Sequence, residues 1–405
     1  MTPTALDSAA SPDRVALYER DFSDDPHAAY TRMRQAHGPL VPVELSPGIP
    51  ATLVIGYRQA RTILHDPQRF PADPSTWQKQ IPVDCPVRPM LEYRPNALRS
   101  GPKEHIRYRA ANTAAIDATD QHALHRLVET ICAEALAELQ PAGRVDLLTE
   151  YARKVASRTL NGLLGCPHGP GTRIAGGMAA IFNASDPASA ARGNEVLAQA
   201  VAELVALRQQ HPGDDITTRL LAHPAHLDDT EMAHQLVTLY GAGIEPLANL
   251  IANTILRILT DPRFAAALHA GRTTVRAALD HVLYRDPPMA NYCASYPPYP
   301  ADVDGVLLPA HQPVLISMTG CNNDPELTAG MDPDAITGNR AHLAWSTGPH
   351  TCPARSHAYL IAETAITHLL DAQPEIDLAV PVSELRWRPG PFHRALESLP
   401  VTLTA

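Results

Sequence analysis

The chain has 405 residues, of which 45% are hydrophobic and 19% are charged, and its formal net charge at pH 7 is -10. This composition is that of a globular protein with a large core and excludes a disordered chain. The negative charge provides no basic surface, so we expect no nucleic-acid partner. Because the sequence has no signal-peptide pattern and no run of about 18 apolar residues, we expect no membrane association and a cytoplasmic location.

The first hundred residues mix helical and strand-like patterns. The segment "PHAAYTRMRQAHG" predicts a helix, "ATLVIGY" predicts a strand, and "RQARTILHDP" predicts a helix that stops at Pro67. A small sheet near the N-terminus is therefore expected. Residues 71–103 are rich in proline and lack a sustained period, which predicts a long loop of the kind that often has a function.

Helical patterns dominate from about residue 104 to residue 280. The strongest begins at "LDDTEMAHQL", where Asp228 and Glu231 have capping-box spacing, and it continues to Thr260. About 30 residues at 1.5 Å each would span roughly 45 Å. Its middle, "LYGAGIEPLANLIANTIL", is apolar nearly all round, so we predict a buried central helix.

After residue 286 the chain is strand-like in "DGVLLPAHQPVLISM" and later reads "LAWSTGPHTCPARSHAYLIAETAI". Pro353 suits the first position of a helix, which would place Cys352 at or next to the N-cap. The backbone N–H groups and the dipole at a helix N-terminus favour a thiolate. A thiolate presented in this way suits a metal ion or an electrophile.

Three other roles for Cys352 remain open from the residues alone. It could be a buried packing residue, as we expect for the other five cysteines, which are scattered without a CxxC pair. It could be the nucleophile of a hydrolase with His350 or a distant histidine as base. It could also bind zinc together with His350 and His357. None of these roles explains the long buried helix.

The stretch 343–363 resembles the haem-binding loop of the cytochrome P-450 superfamily, whose pattern is Phe-x-x-Gly-x-His/Arg-x-Cys-x-Gly. The chain reads "WSTGPHTCPA" there, with Trp345 for the phenylalanine and Ala354 for the last glycine. In the same order as in the family, "KEHIRYR" resembles the haem-propionate helix, "YGAGIEPLAN" the oxygen-binding helix and "DHVLYRDPP" the K helix. The chain is identified as a member of the soluble, bacterial-type branch.

The resemblance implies a mainly α fold with small β-sheets, in a single domain over residues 1–405. Residues 1–103 would form the N-terminal sheet region and substrate loop, 104–290 the helical body and 291–405 the haem-binding part. The implied cofactor is haem b, and the implied partners are a ferredoxin and a ferredoxin reductase. The substrate would be a small organic molecule, a secondary metabolite.

The resemblance also assigns residues to the haem. Cys352 would be the metal ligand, a proximal thiolate that pushes electron density onto the iron. Trp345 would shield the sulfur and Gly348 would shape the loop. Basic side chains for the haem propionates would be His105, Arg109 and His350, although the i,i+4 spacing of the first two is also that of a solvated helix face. The substrate pocket would draw on Trp77, Met90, Ile181, Phe182 and the residues near Met289.

The sequence departs from the family in the oxygen-binding helix. The catalytic segment is Ala242, Gly243, Ile244, Glu245 and Pro246, so the acid is kept and the usual threonine is replaced by proline. Proline removes the hydrogen bond to the carbonyl of Ala242 and kinks the helix. We hypothesise that Glu245, a water or a substrate hydroxyl takes over the proton relay.

A second departure concerns the Glu-x-x-Arg motif of the K helix. His281 and Tyr284 occupy its places, and Ala335 stands where a third charged partner is expected. We therefore expect the whole ionic cluster to be replaced by neutral groups. The propionate arginine after the K helix is also missing, with Pro297 near its place, so haem would be held more weakly.

Two functions follow from the resemblance. The first is a haem-thiolate monooxygenase that hydroxylates or oxidatively couples its substrate with O2 and electrons from the ferredoxin. The second is a catalytically atypical or inactive haem protein that acts as a ligand-binding, sensor or recruitment module. Loss of the threonine and of the ionic cluster favours the second, whereas retention of Cys352 and Glu245 favours the first.

Overall fold

The computed structural model describes residues 4–5, 14–139, 143–182, 187–329 and 339–403. The helices are α1 Arg20–Asp24, α2 Pro26–His37, α3 Tyr57–Leu64, α4 Arg88–Leu91, α5 Pro102–Asp117, α6 Gln121–Glu138, α7 Arg153–Leu163, α8 His168–Phe182, α9 Pro187–Gln210, α10 Ile216–Ala222, α11 Asp229–Thr260, α12 Pro262–His269, α13 Val275–Arg285, α14 Met318–Asn322, α15 Pro325–Thr328 and α16 Arg355–Ala372. A π-helical turn, Leu148–Ala152, leads into α7. Among the described helices, none combines the length and the apolar character that crossing a membrane requires.

The strands are β1 Thr4–Ala5, β2 Val15–Ala16, β3 Leu40–Ser46, β4 Ile49–Val54, β5 Gly143–Asp146, β6 Asn291–Ser295, β7 Ala301–Val303, β8 Val306–Leu308, β9 Val314–Ser317, β10 Asp377–Leu378 and β11 Pro400–Leu403. They form a five-stranded sheet in the order β2-β3-β4-β9-β6 and two three-stranded sheets, β1-β8-β7 and β10-β11-β5. In the larger sheet, β3 and β4 form an antiparallel hairpin, and β9 lies parallel to β4. The mainly α fold with small sheets is confirmed, as is a sheet near the N-terminus.

The predicted central helix is α11, and its bounds are those expected. The carboxylate of Asp228 accepts from the N–H of Glu231 at 2.8 Å, and the carboxylate of Glu231 accepts from the N–H of Asp228 at 3.0 Å. This capping box satisfies two backbone donors at the start of the helix. The helix continues through Pro246, and its C-terminal half is buried. It forms one side of the main core together with α6, α7, α13 and α16.

The proline-rich segment 71–103 is fastened to α11. It contains a short 3-10 turn at Trp77–Lys79 and the single-turn helix α4. The amide of Asn96 donates to the hydroxyl of Thr238 at 2.6 Å, and the amide of Gln235 donates to the carbonyl of Pro95 at 3.1 Å. These bonds hold the end of the segment, where α5 begins, against the central helix.

The helix after the cysteine begins later than predicted. Its first residue is Arg355 and its N-cap is Ala354, so Pro353 does not occupy the first helical position and Cys352 lies two residues before the cap. The reason is local, because residues 353–354 form a turn before the helix starts. The predicted Ala335 and the side chain of Phe182 lie outside the described residues.

Candidate functional site

The loop that carries Cys352 is compact and packs on the end of α3. Gly348 has φ +72°, and a Cβ atom there would lie 2.4 Å from the carbonyl oxygen of Leu64. Only glycine combines this left-handed conformation with so close an approach of another backbone. The N–H of Cys352 donates to the carbonyl of Trp345 at 2.8 Å. The loop therefore has one defined conformation that presents the cysteine.

The environment of the Cys352 thiol is mostly apolar with cations at its edge. Burial raises its pKa, while the N–H of Ala354 and the charges of Arg109 and Arg355 act in the opposite direction. In the described residues no histidine lies within hydrogen-bonding distance of this sulfur. A metal cation at the sulfur would deprotonate the thiol outright, and the basic residues would help to hold the thiolate.

The three basic residues predicted for the propionates converge beside this loop. The rings of His105 and His350 are 4.1 Å apart, and the guanidinium of Arg109 donates to the carbonyl of Thr351. His105 is 5% exposed, and its buried Nε2 has no hydrogen-bond partner. An unpaired buried nitrogen is costly, so this atom points to a missing hydrogen-bond partner.

A fourth basic residue, Arg99, joins this cluster and was not predicted. It is 3% exposed and donates to the carbonyl of Met90 at 3.2 Å and to the hydroxyl of Tyr292. Neither Arg99 nor Arg109 forms an ion pair with a carboxylate of the described chain. Burial, followed by the charges of His105, Arg109 and Arg99, lowers the pKa of His350 to about 3. These four residues, which we refer to as the basic cluster, form no ion pair with an aspartate or glutamate among the residues that the structure describes.

On α11, Glu245 is held by two arginines. Its Oε1 pairs with Arg388 and accepts from the amide of Asn249 at 3.1 Å, and its Oε2 lies 3.6 Å from Arg153. Burial would raise the pKa of Glu245, but the charges of Arg388 and Arg153 outweigh burial and lower it. The carboxylate is therefore ionised and fully engaged. Neither arginine was predicted from the sequence.

The neighbours of Glu245 differ from one another in exposure. Ala242 is exposed although it lies midway along the central helix, and Pro246 is half-buried. A Cβ atom on Gly243 would lie 2.9 Å from Cδ1 of Leu160 on α7. The structure thus shows that Gly243 permits a close approach of the central helix to α7.

The two Glu-x-x-Arg places on α13 are occupied by uncharged groups, and a buried carboxylate lies beside them. His281 and Tyr284 lie on this helix as predicted, and Tyr284 is fully buried with a hydroxyl that lacks a partner. Asp280, however, which directly precedes His281, is 1% exposed and accepts a hydrogen bond from the hydroxyl of Tyr359 at 2.6 Å. The carboxylate is shifted by one position along the helix rather than absent.

The alternative zinc site does not form. Among the described residues, no group of three or more histidine, cysteine, aspartate or glutamate side chains is arranged to hold a metal ion. His357 is buried on α16, and its Nε2 lies 3.1 Å from the amide of Gln121 rather than beside Cys352. A metal ion at Cys352 would therefore need its remaining ligands from a cofactor rather than from protein side chains.

The comparisons with known proteins agree with this geometry. A scan against protein-family models finds no match. The chain is 29% identical to the cytochrome P-450 monooxygenase PikC of Streptomyces venezuelae over 99% of this chain and 97% of that protein. It is 28% identical to cytochrome P-450 107B1 of Saccharopolyspora erythraea, over 96% and 98%. The solved structure of CYP154C4 from Streptomyces sp. ATCC 11861 superposes with a TM-score of 0.88 at 28% identity, covering 98% of this chain and 99% of that one.

The chain belongs to the cytochrome P-450 superfamily. It is an oxidoreductase of the monooxygenase type, in agreement with the names of its relatives. Membership implies a haem cofactor. The donor set fits one: a P-450 haem takes one thiolate and has two carboxylates, and the structure offers one loop cysteine and a basic cluster without an anion.

Proposed function

We propose that this chain is a haem-thiolate monooxygenase in which Cys352 is the iron ligand. The observation that carries the proposal is the pairing of a rigidly presented cysteine with a basic cluster that has no carboxylate of its own. The guanidinium groups of Arg99 and Arg109 in this cluster need a counter-charge, because charges removed from water are stable only when they are paired. The two propionates of haem b would supply that charge, and Trp345 and Gly348 would hold the loop behind the sulfur.

Arg99 would compensate for the propionate arginine that is missing after α13. The backbone carbonyl of Pro297 is already hydrogen-bonded, since it accepts from the N–H of His311 at 2.7 Å. Arg99 lies in the proline-rich segment that precedes α5, far from Pro297 in sequence, and it reaches the basic cluster from there. Its planar guanidinium is suited to carboxylate recognition. Haem would thus be held by four basic residues, the three expected ones and Arg99.

When bound, haem b would activate O2 with two electrons, which we propose come from a ferredoxin and its reductase. The substrate would be a small organic molecule, a secondary metabolite, and it would be hydroxylated or oxidatively coupled. Of the predicted pocket residues, Trp77 is 3% exposed and packs against Tyr296, with ring centroids 5.6 Å apart. Met289 bridges to His393 near the C-terminus. Trp77 and the segment around Met289 would border the substrate beside α11.

The hypothesis that Glu245 relays protons meets a constraint. Both of its carboxylate oxygens are engaged, and the lowered pKa keeps it ionised at neutral pH. Glu245 can accept and pass on a proton only after it exchanges Arg388 or Arg153 for water or substrate. If the relay depends on this exchange, Pro246→Thr restores a hydroxyl and reduces hydrogen-peroxide release per product formed. Unchanged coupling would contradict the hypothesis.

The proposed activity is tested by NADPH consumption with a surrogate ferredoxin and ferredoxin reductase, together with mass spectrometry of candidate substrates. We expect substrate-dependent NADPH consumption and a product that contains one added oxygen atom or a new bond. Cys352→Ser should abolish both. Binding of small molecules without NADPH consumption beyond the level of the Cys352→Ser control would instead favour the ligand-binding or recruitment function.

A further inference from the structure

Asp280 on α13 is a buried carboxylate whose charged partners, Arg340 and Arg276, have side chains that are 66% and 32% exposed. Its side chain is 2% exposed. The hydroxyl of Tyr359 donates to its Oδ1 at 2.6 Å, and Nε of Arg340 donates to its Oδ2 at 3.3 Å. A third group, Nε of Arg276, lies 3.9 Å from Oδ1. A carboxylate this deeply buried is stable only while such partners hold it.

The partners of Asp280 lie on the two sides of the cysteine loop. Arg340 precedes the loop and Tyr359 follows it, so one carboxylate is bonded to both flanks of residues 343–352. Tyr359 also contacts the loop itself, since its ring centroid is 5.4 Å from that of Trp345. The carbonyl of Trp345 accepts the N–H of Cys352. A continuous path of contacts therefore runs from Asp280 to the cysteine.

Arg276 fixes the position of Tyr359 from a second direction. Its guanidinium lies over the Tyr359 ring, 3.4 Å from the centroid, and also pairs with Glu363 at 3.4 Å. The tyrosine is thus held at its hydroxyl by Asp280 and on its face by Arg276. These two contacts orient the ring against Trp345.

We infer that Asp280 is a positioning residue for Cys352, which ties both flanks of its loop to α13 through Tyr359 and Arg340. This arrangement takes the place of the ionic cluster that the sequence lacks at His281 and Tyr284. The inference rests on the proposed function in one respect, because the cysteine that is positioned is the proposed iron ligand. The anchoring of the loop is a property of the chain alone.

The first test measures hydrogen exchange by mass spectrometry in peptides that cover residues 343–354. Asp280→Asn and Tyr359→Phe should each increase exchange there about tenfold, the effect expected when a charge-assisted hydrogen bond that closes a local structure is lost. The matched control is Asp215→Asn, because Asp215 is 4% exposed and pairs with Arg208 at 3.1 Å but touches no residue of the loop. Asp280→Glu, which keeps the charge, should exchange more slowly than Asp280→Asn.

The second test reads the ligand state in the carbon-monoxide complex of the reduced protein. Asp280→Asn and Tyr359→Phe should convert part of the thiolate-type band to the neutral-thiol type, whereas Asp215→Asn should not. If Asp280→Asn does not fold, Tyr359→Phe alone decides both tests. Exchange in residues 343–354 that matches the Asp215→Asn control would overturn the inference. Faster exchange in Asp280→Asn and Tyr359→Phe, together with a wild-type protein that shows no thiolate-type band, would support the anchoring and contradict the proposed function.

Discussion

The carboxylate of Glu245 and the guanidinium of Arg388 form a buried ion pair that joins the central helix to the C-terminal segment, 143 residues away in sequence. Their side chains are 11% and 24% exposed. The pair matters because Glu245 is the acid proposed for the proton relay, and the charge of Arg388 favours its ionised form.

Arg388→Met should destabilise the protein by about 3 kcal/mol, since removing one partner leaves a buried carboxylate with incomplete compensation. Arg153 remains nearby, which places the effect at the lower end of the usual range. Urea unfolding measures the change. The control is Arg58→Met, whose exposed pair with Asp304 should contribute less than about 1 kcal/mol. Equal effects of the two substitutions would show that the buried pair has no special role.

The contribution of Glu245 to stability should depend on pH. Its folded-state pKa is lowered from the ordinary 4.5, so the stabilisation is complete above pH 4.5 and is lost as the pH falls through the folded pKa. The difference in unfolding free energy between the wild type and Glu245→Gln should therefore be constant near neutral pH and shrink below pH 4.5. Burial lowers the pKa of neighbouring His393 to about 4, while the charge of Glu245 acts in the opposite direction, so the acid-pH loss of stability due to His393 is larger in Glu245→Gln. A difference that stays constant down to pH 3.5 would contradict the assignment.

Gly348→Ala should disturb the cysteine loop more than a left-handed glycine alone would predict. Gly271 has nearly the same φ, +64° against +72°, but a Cβ atom on Gly271 would meet nothing within 4 Å. Gly271→Ala should therefore cost only the conformational strain, about 1–2 kcal/mol. Gly348→Ala adds a collision with the backbone of Leu64 and should also lower the haem content of the purified protein. Equal stability and equal haem content in the two variants would contradict the packing of the loop on α3.

Arg99→Met should weaken haem binding through the propionates. Transfer of haem to an acceptor apoprotein should become about 10 to 100 times faster, the range expected for the loss of a hydrogen bond between charged groups. With haem whose propionates are esterified, the variant and the wild type should release the cofactor at the same rate. The control is Arg107→Met, which lies on α5 but pairs with Glu231. An undiminished effect of Arg99→Met with the ester would show that Arg99 acts only on the fold.

The sequence predicts best where the signals are local. The capping box of Asp228 and Glu231 and the apolar run behind it predict α11 to the residue, because both act within one helix. The segment around Cys352 is recognised from its resemblance to the family's haem-binding loop, together with the other family segments that occur in the same order. The start of α16 is missed by two residues, since a proline suits a turn as well as a first helical position.

The sequence does not reveal the residues that complete these sites. Arg99, Arg388 and two partners of Asp280 are brought in from distant parts of the chain. Arg340 lies 60 residues and Tyr359 lies 79 residues from Asp280 in sequence. An arginine in a proline-rich segment or a single aspartate on a helix is not part of a sequence pattern from which its partner could be predicted. Only the fold decides which of the 33 basic residues reach the interior.

The central claim, that Cys352 ligates a haem held by the basic cluster, is tested most directly by the carbon-monoxide difference spectrum of the dithionite-reduced protein, with haem quantified on the same sample. We predict one haem per chain and a red-shifted Soret band of the thiolate type, which Cys352→Ser abolishes. A band of the histidine or neutral-thiol type in the wild type, or a protein purified without haem, would contradict the account.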